Sequence, residues 1–91
     1  MINNPGYVTM FCTRRATGEV FEVLYDLEDH DKVKRYDWRI EKSRDKVYAV
    51  KQGTENIFLH RLIADNCEGK IVKAINGNYF DCRKENLRII N

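Results

Sequence analysis

Two runs dominate the first third of the chain, Tyr7-Val-Thr-Met-Phe-Cys-Thr13 and Glu19-Val-Phe-Glu-Val-Leu-Tyr25. Both are rich in Val, Thr, Tyr and Phe, whose branched or aromatic side chains suit a pleated sheet better than a helix. Only a short link containing Gly18 separates them. A parallel pairing would need a crossover of a dozen or more residues, so the two runs read as an antiparallel hairpin. The chain has 91 residues. Whatever follows the hairpin must share one small core with it, or form two very small subdomains around it.

The rest of the chain continues in short elements. Trp38-Arg-Ile-Glu-Lys42 and Val47-Tyr-Ala-Val-Lys51 flank Ser43-Arg-Asp-Lys46. Each alternates large apolar with charged or small residues, the period of a half-buried strand, so a second hairpin is expected. Between the hairpins, Asp26 to Tyr36 is dense in charge with Leu27 and Val33 as apolar points. A short helix or turn fits there, with Asp26 or Asp29 as its N-cap. Gly53-Thr54 breaks the pattern, and Ile57-Phe-Leu-His-Arg-Leu-Ile-Ala64 reads as a strand turning into a helix. Ile71-Val-Lys-Ala-Ile75 is a short strand followed by the turn signal Asn76-Gly77-Asn78, because Asn and Gly tolerate positive φ. Asp81 can cap a helical turn over Arg83–Asn86, and Leu87-Arg-Ile-Ile90 is the next extended segment.

These elements predict an α+β fold with an antiparallel sheet built from the two hairpins and one short helix after His60. Residues 1–91 form one small domain, β-rich over about 7–52 and distinct in character over about 56–91. The expected core is Phe21, Val23, Leu24, Trp38, Tyr48, Leu62 and Ile75. A hydrophobic content of 43% supports such a core, and 33% charged residues a solvated surface.

Several classes are excluded. No apolar run approaches the roughly 18 to 20 residues of a membrane helix, and the start lacks the basic and apolar regions of a signal peptide, so a cytoplasmic protein is expected. Cys12, Cys67 and Cys82 are odd in number and form no Cys-x-x-Cys pair, which argues for reduced thiols and against a disulfide framework or zinc ribbon. No phosphate loop or nucleophile elbow is present. The acidic group Asp26, Glu28, Asp29 and Asp31 lacks the alternating ligands and Gly of a calcium loop. No metal or cofactor is expected. The net charge of +2 is small, but residues 1–31 carry two basic against six acidic side chains, and residues 32–91 fourteen against eight. The basic surface therefore belongs to the later two thirds.

Leu59-His-Arg-Leu62, then Ile71-Val-Lys-Ala-Ile-Asn-Gly-Asn78, then Asp81-Cys-Arg-Lys-Glu-Asn-Leu-Arg-Ile89 together resemble the HNH homing endonucleases, often carried by phages or mobile elements. That family reads approximately His-Arg-Leu, Val-Asp-His-Ile-Asn-Gly-Asn and Asp-Asn-Arg-Xaa-Xaa-Asn-Leu-Arg. The preceding Gly18-Glu-Val-Phe, Asp26-Leu-Glu-Asp29, Lys32-Val33 and Trp38 are similar to a three-stranded DNA-binding module found in such proteins. The resemblance implies a ββα-metal hairpin at the C-terminus, with His60, Asn76, Gly77 and Asn86 as its structural residues and Asn86 bracing the loop.

The departures bear on activity. Where the family has Asp-His, this chain has Lys73-Ala74, so the metal-binding carboxylate and the general base are both missing. The family's helix after Asn-Leu-Arg, which carries a further ligand, is also expected to be missing. The resemblance therefore implies an incomplete ββα hairpin, no catalytic residue and no metal. Arg39, Lys42, Arg44, Lys46 and Lys51 on the β-rich part, with Glu41 beside them, would read duplex DNA in a major groove. Lys73, Arg83, Lys84 and Arg88 would meet phosphate. The other reading is a protein antagonist of a host nuclease or defence complex, of anti-CRISPR or anti-restriction type, to which a modest charge is better suited. A third is an active nuclease with rearranged ligands or a missing partner subunit.

Overall fold

The computed structural model describes residues 2–4, 6–51, 55–65 and 67–90. Along them run β1 (Ile2–Asn4), β2 (Tyr7–Thr13), β3 (Val20–Asp26), α1 (His30–Val33), β4 (Arg39–Ile40), β5 (Val47–Lys51), β6 (Glu55–Phe58), α2 (Leu59–Ala64), β7 (Ile71–Ala74) and β8 (Leu87–Ile90). Single 3-10 turns at Leu27–Asp29 and Lys84–Asn86 precede α1 and β8. The fold is α+β with small antiparallel sheets. The expected break at Gly53-Thr54 lies outside the described residues.

Strands β2 and β3 pair in register from Tyr7↔Asp26 to Thr13↔Val20. Alternation puts Val8, Cys12, Val23 and Tyr25 on the inner side, where all four are buried. The connection closes with Gly18 N–H donating to Arg14 O at 2.7 Å, and the φ of +77° at Gly18 is one that a side chain would strain. Strands β4, β5 and β6 form a second sheet. Ile40, Val47 and Ala49 on its inner side meet Leu59 and Ile63 of α2 and the inner side of β2–β3 in one buried cluster, which runs from Val8 to Cys82. Trp38 is buried, and its Nε1–H donates to Val33 O at 2.7 Å, so its one polar group is satisfied.

The two hairpins do not share a sheet, contrary to the expectation from sequence. Both edges of the first hairpin are taken. Strand β1 pairs with β2, and on the other side Leu24 N–H donates to Phe80 O and Cys82 N–H to Leu24 O, each at 2.8 Å. The second hairpin therefore completes its sheet with β6. Helix α2 begins at Leu59 and includes His60 rather than following it, and a second short helix, α1, occupies the charged stretch. Neither Asp26 nor Asp29 caps its own turn with a side-chain bond.

The predicted core also needs correction. Ile75 is 64% exposed, because β7 turns Val72 and Ala74 inward and so sends Ile71, Lys73 and Ile75 outward. Phe21, Leu24, Tyr48 and Leu62 are half-buried. Among the described residues no helix is long and apolar enough to cross a membrane.

Candidate nucleic-acid interface

The loop between β7 and β8 is organised by one amide. Asn86 Nδ2 donates to Asn76 Oδ1 at 3.0 Å and to Asp81 O at 2.9 Å, and Asn86 Oδ1 accepts from Asn76 N–H at 3.2 Å. Asn76 Oδ1 also accepts from Asn78 N–H at 2.8 Å, and Asn78 Oδ1 from Phe80 N–H at 3.0 Å. Such side-chain bonds replace the ladder bonds that a loop lacks. Gly77, at φ +79°, makes the reversal. On the hairpin itself Lys73 stands opposite Arg88, both exposed, and neither has a carboxylate partner among the described residues. Ala74 is buried at the end of the strand.

His60 is buried between aromatic rings, 5.6 Å from Phe58 and 5.0 Å from Tyr79 by ring centroids. Burial is the main cause lowering its pKa to about 4, followed by the charges of Lys46 and Arg61. It is a neutral packing residue at neutral pH. Lys46 lies over the outer side of the same cluster, with Nζ 5.0 Å from the Tyr79 centroid. His30 is exposed, and its Nδ1 pairs with Tyr25 Oη at 2.7 Å.

Two of the cations expected to meet phosphate are held by this chain's own carboxylates. Arg83 makes two 2.8 Å bonds to the two oxygens of Asp81, a bidentate pair of the strong kind. That hydrogen bond is the main reason the Asp81 carboxyl sits below its ordinary range. Lys84 Nζ lies 3.1 Å from Glu28 and 3.2 Å from Asp29, and the bond to Glu28 is the main cause raising its pKa. Asp26, Glu28 and Asp29 bring ligand atoms within 4.8 Å of one another, but Lys84 and Lys32 place ammonium groups on Asp29. Lysine charge thus answers this cluster, and Asp31 pairs separately with Lys34.

Of the remaining candidates, Arg39 and Lys42 come together on the outer side of β4–β6. Arg39 and Phe58 both stand opposite Tyr48 across the sheet, so the three share one face. Arg39 pairs with the exposed Asp37 at 3.0 Å, a weak constraint. Lys42 and Arg44 are exposed, with no ion-pair partner among the described residues. A concavity of about 270 Å³ is lined by Arg15, Ala16, Arg39, Ile40, Lys42 and Tyr48. A second, sharing Lys42 and Tyr48, is bordered by Glu41 and Asn56. Arg14 joins the two walls. Its guanidinium donates to Arg44 O at 3.2 Å and pairs with Asp45, tying the β2–β3 turn to the β4–β5 turn. The Lys51 side chain lies outside the described part. A larger hollow beside α2 is lined by both signs of charge, and Arg61 there donates to the Lys70 and Cys67 carbonyls.

The structure thus brings Arg39 and Lys42 together, with Arg44 and Lys46 on the adjoining turn, and sets Lys73 and Arg88 apart on the C-terminal hairpin. Sequence reasoning missed Arg14 and Arg15, the two basic side chains of the acidic first third, and the part Tyr48 plays as a shared wall. The alternation that put Arg39 and Tyr48 on separate strands of one hairpin could have placed them on one face. Comparison with protein-family models, curated proteins and solved structures finds no match.

Proposed function

We propose that this chain binds DNA without cutting it, as a relative of the HNH nucleases that has kept the scaffold and lost the chemistry. The observation that carries this reading is the separation of the cations into two sets. Arg83 and Lys84 are neutralised internally, whereas Arg15 and Lys42, together with Arg39 and Tyr48, line a concavity free of such pairing except at Arg39, and Arg44 on the adjoining turn has no ion-pair partner among the described residues. Phosphate contacts come from cations that give up only water and counterions on binding, so the second set is the natural interface. The β7–β8 hairpin with its Asn86-braced loop is read as the nuclease remnant. At the positions aligned with the family's catalytic pair, Ala74 offers no proton acceptor, and Lys73 opposite Arg88 repels a divalent cation.

The test is fluorescence anisotropy on labelled duplex DNA across a salt series, with plasmid incubated in magnesium or manganese in parallel. Salt-dependent binding with no nicking supports the reading. Robust nicking abolished by EDTA contradicts the second half of it, and absence of binding the first.

A second reading, an antagonist that docks on a nuclease or defence protein, draws on the outer side of β7–β8. Ile71 and Ile75 are 59% and 64% exposed around Lys73 and Arg88. Clustered exposed isoleucines suit a protein surface better than a phosphate backbone.

A further inference from the structure

The concavity between the β2–β3 turn and the β4–β6 sheet has a more particular chemistry than a general phosphate-binding face. Ala16 and Tyr48 supply apolar and aromatic surface, Arg15, Arg39 and Lys42 supply positive charge, and no carboxylate among the described residues lines it. Arg15 and Lys42 have no ion-pair partner among the described residues. The ligand that fits both properties is flat, largely apolar on its faces, and anionic at one end. Its volume, about 270 Å³, lies at the small end of the roughly 300–1,000 Å³ of ligand pockets, so it suits one ring system with its phosphate and nothing longer. The two walls are pinned by Arg14 through Arg44 O and Asp45, so the space exists before a ligand arrives and little ordering cost attends its filling.

We propose that this concavity is a nucleotide subsite in which one unpaired base stacks against Tyr48 while its phosphate lies between Arg15 and Lys42. The inference rests on the DNA-binding reading above and sharpens it. In a perfect duplex both faces of every interior base are covered by stacking, so away from the ends only a base out of the stack can enter. The chain therefore prefers single-stranded DNA, or duplex carrying an unpaired nucleotide, over a perfect duplex.

Anisotropy with three fluorescein-labelled probes of one sequence tests this: perfect duplex, duplex with one unpaired nucleotide, and single strand. The single strand and the interrupted duplex bind about 10-fold tighter than the perfect duplex, which is the lower part of the range for stacking one base on an aromatic ring. Tyr48→Ala erases that difference and Tyr48→Phe keeps it. Because Tyr48 lies within a strand, Arg15→Ala in the exposed turn serves as a second variant that leaves the core untouched, and it weakens single-strand binding several-fold. Equal affinity for all three probes, or tightest binding to the perfect duplex, overturns the inference and leaves the DNA-binding reading standing. Unchanged discrimination in both Tyr48→Ala and Arg15→Ala also overturns it. No binding to any probe overturns both.

Discussion

The carboxylate of Asp26 accepts the backbone N–H of Lys84 at 2.9 Å although 58 residues separate the two in sequence. The 3-10 turn Lys84–Asn86 has no capping bond from Arg83, the residue that precedes it, so Asp26 supplies from the end of β3 what an N-cap would supply locally. Asp26→Ala should lower stability by about 1 kcal/mol, the usual cost of losing a cap. The urea midpoint should fall with the m-value unchanged. An unaltered midpoint would show that the bond contributes nothing.

Asn86 should matter more. Its side chain bonds the Asn76 N–H and the Asp81 carbonyl from a buried position, and removing it takes those bonds away. Asn86→Ala should cost about 2 to 4 kcal/mol, combining lost bonds with unsatisfied buried polar groups. Amide hydrogen exchange should quicken first at Asn76, whose N–H donates to the Asn86 side chain. Uniform quickening throughout the chain would argue for a global effect without local bracing.

Stability should fall between neutral pH and pH 4 because of His60. Its folded pKa is about 4 against 6.5 unfolded. Between those values the unfolded chain holds a proton that the folded chain excludes, so stability rises with pH through this window and is lost as pH falls. The shift corresponds to roughly 3 kcal/mol in full. Urea melts at pH 7 and pH 4.5 measure it, and His60→Gln should flatten the difference. A parent protein as stable at pH 4.5 as at pH 7 would mean that His60 titrates normally.

The local elements were legible because their causes are local. The alternation in Val47-Tyr-Ala-Val-Lys51 and the glycine turn after Thr13 needed no partner to be read. Sheet membership was not legible, because β3 receives the Phe80–Cys82 segment on its free edge, a pairing that no period in either segment announces. Ile75 was misplaced for a related reason. An apolar run does not reveal that its last residue falls on the outward side of a two-stranded hairpin. Arg83 and Lys84 looked free in a basic stretch, but their neutralisation depends on Asp81's orientation and on Glu28 and Asp29 folding back across the chain. The identity of Lys73 and Ala74, by contrast, needs no fold to be read.

The most direct test of the account is the slope of log binding constant against log salt for duplex DNA, compared among the parent, the Lys42→Ala/Arg44→Ala double variant and Lys84→Ala. If the β4–β6 face meets phosphate, the double variant loses about two units of slope, one for each cation removed. Lys84→Ala keeps the parent slope, since its ammonium is already held by Glu28 and Asp29. A slope that falls in Lys84→Ala while the double variant keeps that of the parent would contradict the assignment of the interface. A parent that binds neither duplex nor single strand even at low salt would contradict DNA binding itself.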